Sequence, residues 1–464
     1  MGYATTNPYT NEVVKTFPYA TDAEVNAALD KAYEAFLSWR TVAFAKRSEI
    51  LLKAADLARA RREELARFNT LETGKLIAES MWEVESIIQI FEYYAKNGER
   101  LLEPERLPVN DPMIDGDAML VYEPLGIVYE IEPWNVPFFQ IVRPLAAQLM
   151  AGNTVILKHA SIVPQCSAAI EKLMQDAGLP DGVFTNLYVT HEQSDRIIAD
   201  PRVCGVTLTG SEAAGAHVAA QAGKYIKKSV LELGGSDGMV VLADANLEQA
   251  VKGAMMGRLT LSGQACVGDK RMIVADSIYD AFLAGITAAI QSLQPGDPMD
   301  LNTTLAPVSS QSAADTIKEQ IRNAVVHGAT ATQVGKPVPT QGAFVQPTIL
   351  TGVTPNNPIF NQEIFGPVIM LFRFSDEAEA IRLANSTQFG LGASVYATDI
   401  SHAYAVAKQL EAGAVTINQP TMPSPAIPFG GIKNSGYGRE MGADGIREFT
   451  NHKTIYGARA ADVA

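Results

Sequence analysis

The 464-residue sequence contains only three cysteines, Cys166, Cys204 and Cys266, and six histidines. The cysteines are odd in number, widely separated and without any Cys-x-x-Cys spacing, which argues against both a disulfide framework and a zinc site. We therefore expect no bound metal. A reducing compartment agrees best with this cysteine usage, so the sequence predicts a cytoplasmic protein.

Long apolar runs and clustered basic charge are also absent. The longest apolar region, residues 144–157, is interrupted by Gln148 and Asn153 and is too short to span a membrane. The first residues are polar and lack the basic and apolar regions of a signal peptide. The formal net charge is −14, with no run of lysine or arginine. Neither nucleic acid nor an anionic membrane is therefore an expected partner.

The composition is that of a folded globular protein, with 47% hydrophobic and 19% charged residues. A chain of this length predicts about three units of ~150 residues. A capping box at Thr21–Glu24 begins the first helical pattern. Further helices are predicted over 48–69 and 76–97, the second of them ending at Asn97-Gly98.

From residue 118 onward, short apolar segments alternate with helical patterns. The predicted strands include 127–131, 154–157, 205–209 and 238–242. Alternation of this kind indicates an α/β fold with a parallel, doubly wound sheet. A second α/β unit is predicted from residue 271 onward, beginning with the strand 271–274.

A lone thiol, Cys266, lies in the short turn 262–267, which follows a helical pattern over 247–261. The small residues of this turn, Gly263 among them, leave room for another molecule to approach the sulfur. A cysteine acts as a nucleophile only as the thiolate, so this reading requires a site that lowers its pKa. The alternative is a small buried hydrophobic residue, which is what most free cysteines are.

Two polar residues have contexts that suit catalysis. Glu232 lies between two leucines and before Gly234, and apolar surroundings hold a carboxyl group near neutral pKa, as a general base requires. An exposed glutamate at a turn is the alternative. Asn135 lies between Pro133 and Pro137, and this stiff backbone would aim its amide toward a developing oxyanion.

Three further segments have the character of a nucleotide site. Gly210 and Ser211 follow a strand and begin a helix, where free N–H groups could bind a phosphate, although a turn with an ordinary N-cap explains the same residues. Lys158 ends a strand where doubly wound sheets bind nucleotides, unless it is simply solvated. Glu363 offers a carboxylate to a ribose diol beside the ring of Phe365, although a structural turn is equally consistent with this segment.

Taken together, these motifs resemble the aldehyde dehydrogenase superfamily along nearly the whole chain. The matching blocks are Pro133-Trp134-Asn135, Thr209-Gly210-Ser211, Leu231-Glu232-Leu233-Gly234-Gly235, Gly263-Gln264-Ala265-Cys266, Glu363-Ile364-Phe365-Gly366-Pro367 and Pro428-Phe429-Gly430-Gly431. The resemblance implies a Rossmann-type cofactor domain over 1–104 and 124–233, and an α/β catalytic domain over 234–433. It also implies a β oligomerisation element over 105–123 and 434–464, and thus a homodimer or homotetramer.

The same resemblance implies a role for each site residue. Cys266 is the nucleophile that attacks a small aldehyde, Asn135 and the Cys266 N–H form the oxyanion hole, and Glu232 activates the hydrolytic water. Lys158 holds the adenine ribose, Ser211 the pyrophosphate and Glu363 the nicotinamide ribose. The remaining implied cofactor-binding residues are Trp134, Ser161, Thr209, Gly210, Gly234 and Phe365.

The cofactor preference depends on Ser161. Members that prefer NAD commonly carry a glutamate three residues after the lysine, where it repels a 2′-phosphate, whereas this sequence has serine after Lys158-His159-Ala160. We therefore expect NADP to be preferred and NAD to be accepted. His159 is interpreted as structural.

The closest resemblance is to bacterial succinate semialdehyde dehydrogenases, through residues 158–161, 232–237 and 436–440. Arg143 lies eight residues after Asn135, where those enzymes place an arginine that meets the substrate carboxylate. The loop 419–427, with its prolines and alanine, is less polar than in related sequences. The alternatives are a broad-specificity or other small-aldehyde dehydrogenase, with Arg143 only a salt-bridge partner, a CoA-acylating semialdehyde dehydrogenase, and a catalytically silent structural or binding member.

Overall fold

The computed structural model describes residues 2–111, 113–114 and 116–458. The N-terminal segment is an antiparallel hairpin followed by a layer of four helices. Its elements are β1 (Tyr3–Asn7), β2 (Glu12–Phe17), α1 (Asp22–Trp39), α2 (Phe44–Ala60), α3 (Arg62–Thr73) and α4 (Ile77–Leu101). The predicted capping box is present, because Thr21 and Glu24 each accept a hydrogen bond from the other's backbone N–H.

Two helix boundaries differ from the predictions. The helix predicted over 48–69 is two helices, since the chain leaves helical geometry at Arg61 with φ −105° and ψ 19°. Helix α4 continues past Asn97-Gly98 to Leu101. Gly98 lies so close to Met150 that a Cβ atom there would be 2.9 Å from its Cε. This glycine permits a close helix–helix contact and does not end the helix.

The next segment contains two strands of a small sheet and then the first large sheet. Its elements are β3 (Glu105–Leu107), β4 (Asp117–Pro124), β5 (Ile127–Glu132), α5 (Pro137–Ala151), β6 (Thr154–His159), α6 (Pro164–Asp176), β7 (Phe184–Asn186), α7 (His191–Ala199), β8 (Val203–Thr209), α8 (Glu212–Lys224) and β9 (Lys228–Glu232). Strands β9, β8, β5, β6 and β7 are parallel neighbours in that order. Their carboxyl ends therefore bring Lys158, Thr209 and Glu232 to one edge, as in other doubly wound sheets.

The second large sheet is formed by the following part of the chain. Its elements are β10 (Gly238–Val241), α9 (Leu247–Leu259), β11 (Arg271–Ala275), α10 (Asp276–Gln291), α11 (Gln311–Val326), β12 (Thr330–Gln333), β13 (Thr348–Thr351), β14 (Val368–Phe374), α12 (Glu377–Asn385), β15 (Gly392–Tyr396), α13 (Ile400–Ala407) and β16 (Ala414–Ile417). The order is β12-β13-β14-β11-β10-β15-β16, and β12 is its antiparallel strand. Buried aliphatic clusters cover both faces.

The C-terminal segment returns to two earlier sheets. Its elements are β17 (Gly436–Tyr437), α14 (Gly442–Arg447) and β18 (Thr450–Ala458). Strand β17 pairs with β9 at the edge of the first large sheet, whereas β18 pairs with β4 to give the three-stranded sheet β18-β4-β3. The described part of the predicted segment 434–464 is thus shared between two sheets, and residues 459–464 lie outside the described residues. The two parallel sheets confirm the predicted α/β class, and the division into domains stays a prediction.

None of the helices in the described part of the chain combines the length and the apolar composition needed to cross a membrane.

Candidate active site

The nucleophile turn, defined here as residues 261–266, begins with an unusual backbone. Helix α9 ends at Leu259, two residues before the predicted end, and the next turn is a short 3-10 helix, Thr260–Gly263. Leu261, Ser262 and Gly263 are left-handed, with φ of 57°, 53° and 79°. This conformation costs a non-glycine residue about 1–2 kcal/mol, so other contacts must hold the turn.

Two charged side chains, the half-buried Glu79 and the fully buried Arg258, bind the backbone of the turn. The carboxylate of Glu79 accepts a hydrogen bond of 2.7 Å from the Leu261 N–H. Arg258 donates from Nη1 to the Gly263 carbonyl at 2.9 Å. Hydrogen bonds to charged groups contribute about 1.5–3 kcal/mol each, enough to offset the left-handed backbone.

Arg258 also fixes the loop that carries Glu363 and Phe365. The guanidinium is fully buried and donates to the carbonyls of Val368, at 2.7 Å, and Ile364, at 2.8 Å. A single side chain therefore holds the nucleophile turn against the loop that is predicted to bind the nicotinamide ribose.

The Cys266 thiol is half-buried, and its surroundings oppose ionisation. Burial raises the pKa of Cys266 to about 11, and the positive charges of Lys270 and Arg143 offset only part of this rise. The carboxylates of Glu363 and Glu232 add to it. The surroundings of Cys266 in this structure therefore favour the protonated thiol and do not supply the lowered pKa that a nucleophilic role requires.

Asn135 is oriented toward the nucleophile turn. Its Nδ2 donates to the Gln264 carbonyl at 3.1 Å, and its Oδ1 accepts from Gln140 Nε2 at 3.3 Å. The second bond fixes which end of the amide faces the turn. The donor needed for an oxyanion hole is thus beside Cys266.

Cys266 lies where two cavities meet. The first, which we call the substrate cavity, is lined mostly by apolar side chains, among them Trp82, Phe139, Met256, Val267, Met422 and Phe429. The second, of about 260 Å³, is lined by Trp134, Thr209, Gly210, Ser211, Gly234, Glu363 and Phe365, and we call it the cofactor cavity. Asn135, Gln140 and Cys266 line both.

Glu232 is the last residue of β9 and is buried. Burial raises its pKa well above the usual range, and the positive charge of Arg143 opposes that rise. Its carboxyl group is close enough to Cys266 for its charge to raise the pKa of the thiol. As the sequence predicted, the surroundings favour the neutral form, so Glu232 must release a proton before it can act as a base.

Arg143 lines the substrate cavity, but its charge is already paired. The guanidinium is 1% exposed and forms an ion pair with Glu440, and Nη2 donates to Thr209 Oγ1 at 2.8 Å. The rings of Phe139 and Phe429 lie over it at 5.6 and 5.3 Å. The salt bridge considered as the alternative is therefore present, and the role in substrate binding stays a prediction.

The residues of the predicted nicotinamide end lie close together in the structure, and their role in cofactor binding stays a prediction. The ring of Phe365 contacts Trp134 edge to face at 5.7 Å, and Glu363 Oε1 accepts from the Gly235 N–H at 3.1 Å. A Cβ atom on Gly234 would lie 2.4 Å from Glu363 Oε2. Gly234 must therefore be glycine for Glu363 to hold this position.

The predicted adenosine end lies in an adjoining cavity of about 420 Å³, which Trp134, Ser161, Glu363 and Phe365 line. Lys158 is the penultimate residue of β6, and burial lowers its pKa. No ion pair of Lys158 occurs among the described residues. His159 is buried and its Nδ1 lies 3.0 Å from the Glu132 carbonyl, in agreement with a structural role.

The predicted phosphate segment joins β8 to α8. Ser211 is the N-cap of α8, and its hydroxyl accepts from the Ala214 N–H at 3.3 Å, as in the ordinary cap considered above. The Thr209 hydroxyl binds Arg143. Gly210 and Ser211 line the cofactor cavity, so binding of pyrophosphate there stays a prediction.

Sequence reasoning missed Glu79, Arg258, Lys270 and Glu440. Lys270 is fully buried and bonds to the Cys266 carbonyl, and Glu440 pairs with Arg143. One signal was available: Asp269-Lys270-Arg271 places three charges directly before an apolar strand, where charged side chains need partners.

The chain matches known proteins over almost its full length. The model of the aldehyde dehydrogenase family matches residues 1–455. The succinate-semialdehyde dehydrogenase [NADP(+)] of Deinococcus radiodurans is 45% identical over 98% of this chain and 94% of its own. A probable succinate-semialdehyde dehydrogenase [NADP(+)] of Synechocystis is 43% identical, over 98% of this chain and 100% of its own.

A solved structure agrees with this likeness. The succinic semialdehyde dehydrogenase of Streptococcus pyogenes, in complex with NADP+ as the cofactor, superposes with a TM-score of 0.95 at 41% identity, covering 98% of this chain and 99% of its own. With the family model matching nearly all of the sequence, the chain belongs to the aldehyde dehydrogenase family.

Proposed function

We propose that this aldehyde dehydrogenase oxidises succinate semialdehyde to succinate, with NADP+ preferred over NAD+. The observation that carries the chemistry is the position of the Cys266 thiol, where an apolar cavity meets a second cavity that also carries the polar groups of Thr209, Ser211 and Glu363. The substrate and the cofactor are supported by the names of the relatives from Deinococcus radiodurans and Synechocystis.

In the proposed reaction the Cys266 thiolate adds to the aldehyde carbon to form a thiohemiacetal. The Asn135 amide and the Cys266 N–H donate to its oxyanion. A nicotinamide cofactor bound in the cofactor cavity supplies the oxidising chemistry by accepting a hydride. Glu232 then takes a proton from water, which cleaves the thioester on Cys266 and releases the carboxylate.

The two chemical roles are separable by mutation. Cys266→Ala should abolish turnover while leaving cofactor binding nearly intact, because it removes the nucleophile alone. Glu232→Gln should keep a stoichiometric burst of reduced cofactor but slow steady turnover by about 10²–10⁴-fold, the usual contribution of a general base. Rapid-mixing measurements of cofactor reduction distinguish the two. Dehydrogenase activity in Cys266→Ala would exclude this residue as the nucleophile.

The residues around the cofactor cavities are suited to a dinucleotide with a 2′-phosphate. Lys158 is a half-buried cation for which the structure describes no ion pair, and Ser161, three residues later, is exposed on the wall of the adjoining cavity. A phosphate here would meet a cation and a hydroxyl donor with no carboxylate at position 161 to repel it. Lys158 and Ser161 would hold the adenosine end, and Glu363 with Phe365 the nicotinamide end.

Replacing Ser161 by Glu should therefore reverse the cofactor preference. A carboxylate would repel the 2′-phosphate by a few kcal/mol in a partly desolvated site, so the ratio of kcat/KM for NADP+ to that for NAD+ should fall about a hundredfold. Ser161→Gln is the control, since it adds similar bulk without charge and should change the ratio far less. An unchanged ratio in Ser161→Glu would count against Ser161 as the determinant.

A second candidate substrate class is a neutral small aldehyde. The apolar lining of the substrate cavity and the pairing of Arg143 with Glu440 favour it, because Arg143 is the cation among the described lining residues. The two candidates differ in what Arg143 does. For succinate semialdehyde it attracts the distal carboxylate, and for a neutral aldehyde it only holds the cavity wall.

Arg143→Met separates these candidates. If Arg143 meets the carboxylate, KM for succinate semialdehyde should rise about ten- to a hundredfold more than KM for butanal, since a hydrogen bond to a charged group contributes about 1.5–3 kcal/mol. Steady-state kinetics on both aldehydes measure the difference. Equal losses would show that Arg143 is structural and would favour the neutral aldehyde.

We also propose a homodimer or homotetramer in the cytoplasm. The location is proposed because all three cysteines are free and the nucleophile requires a reduced thiol. Strand β18 is an edge of the small sheet and exposes Ile455 and Tyr456, and such an edge is usually paired with another chain.

Light scattering at micromolar concentration should give at least twice the 49.8 kDa chain mass. Ile455→Lys should shift the protein toward monomer, because a charge on the edge opposes pairing. Val14→Lys is the matched control, since Val14 is equally exposed on β2 of the N-terminal hairpin. A stable wild-type monomer would contradict the assembly.

A further inference from the structure

Lys270 is a fully buried cation that the proposed reaction does not use. It lies four residues after Cys266 and directly before β11. Its Nζ donates to the carbonyls of Ala265 at 2.8 Å and Cys266 at 2.7 Å, and forms an ion pair with Glu363 Oε1 at 3.0 Å. An ammonium group has three hydrogens, so these contacts use all of them.

The contacts of Lys270 join two segments whose relative position matters for the proposed reaction. The carbonyls belong to the nucleophile turn, and Glu363 is the residue predicted to hold the nicotinamide ribose. The same Glu363 oxygen accepts from the Gly235 N–H, and the Phe365 ring centre lies 5.9 Å from Nζ. Lys270 therefore contacts both the residue that attacks the aldehyde and the loop that is predicted to position the cofactor.

The positive charge of Lys270 also affects the ionisation of the Cys266 thiol. The charged and titratable groups that act on Cys266 are Lys270 and Arg143, which favour the thiolate, and Glu363 and Glu232, which oppose it. Two further buried carboxyl groups, Asp237 and Asp269, face Lys270. Without Lys270, Cys266 would lie beside the Glu363 carboxylate with no neutralising charge between them.

We propose that Lys270 is a positioning residue that ties the nucleophile turn to Glu363 and supplies a positive charge that favours the Cys266 thiolate. This proposal rests on the proposed role of Cys266. The ammonium acts through the turn and through its field, without touching the aldehyde. Its loss should change both the geometry of the turn and the reactivity of the thiol, and only the second effect depends on charge.

The test is the pH profile of Cys266 alkylation by iodoacetamide, followed by mass spectrometry of the peptide that carries Cys266. Below its pKa a thiol reacts in proportion to its thiolate fraction. Lys270→Met should slow alkylation about tenfold at each pH, since loss of an adjacent opposite charge shifts a pKa by about one unit or more. Lys270→Arg retains the charge and should restore most of the rate.

Arg271→Met is the matched control. Arg271 is the next residue and is also fully buried, but its guanidinium donates to the Ala384 and Leu383 carbonyls, away from the thiol. This variant should destabilise the fold while leaving the alkylation profile unchanged. Equal slowing in Arg271→Met and Lys270→Met would overturn the proposal, because general loosening would then explain both.

Glu363→Gln gives an independent measurement that does not require Lys270→Met to fold. It removes the opposing negative charge but keeps an oxygen for the Gly235 N–H, so alkylation should become several-fold faster. An unchanged profile in this variant would also overturn the proposal. Neither measurement uses aldehyde or cofactor, so failure here is distinct from failure of the proposed function, which activity in Cys266→Ala would reveal.

Discussion

The left-handed backbone of the nucleophile turn is held by three charged side chains, of which Arg258 and Lys270 are fully buried and Glu79 is half-buried. Glu79 accepts from the N–H of Leu261, Arg258 donates to the Gly263 carbonyl, and Lys270 donates to the Cys266 carbonyl. Each bond to a charged group offsets the cost of about one left-handed residue. Because the turn is fixed in this way, the thiol stays at the meeting point of the two cavities.

The buried charged groups also affect which carboxyl groups of the site carry a proton. Glu130, Glu132 and Glu232 are buried together near Arg143, and burial raises the pKa of all three well above the usual range. Arg143 is itself paired with Glu440 and cannot stabilise every carboxylate. The site therefore favours the protonated form of Glu232, a group that the proposed reaction needs in the ionised form. Ionisation of Cys266 and of Glu232 becomes easier as pH rises, so both proposed steps should be favoured by mildly alkaline conditions.

The two cavities differ in the side chains that line them. The substrate cavity offers apolar contacts and one paired guanidinium, so it discriminates by shape and by a single charge. The cavities predicted to hold the cofactor offer polar side chains, Ser161 in one and Thr209 and Ser211 in the other, with Glu363 lining both. In the proposed reaction the aldehyde would reach Cys266 through the substrate cavity and the nicotinamide through the cofactor cavity, which would bring the two reactants together at the thiol.

Much of the fold and part of the site follow from local sequence. The alternation of strands and helices predicted two parallel sheets, and the Thr21–Glu24 capping box predicted the start of α1, because these patterns depend on neighbouring residues. The short motifs around Cys266 and Asn135 indicated the family for the same reason. By contrast, only tertiary packing decided that α4 passes through Gly98, since that glycine is required by Met150 of another helix.

The buried ion pairs could not be predicted from the local sequence either. Lys270 pairs with Glu363 and Arg143 with Glu440, partners that are distant along the chain. The sequence by itself determined that charged residues adjoin the nucleophile and the oxyanion donor. Only the tertiary structure decided which carboxylate pairs with Lys270 and which with Arg143. It also decided whether the Cys266 thiol is favoured in its protonated or its ionised form, because the pKa of a buried group depends on every charge packed around it.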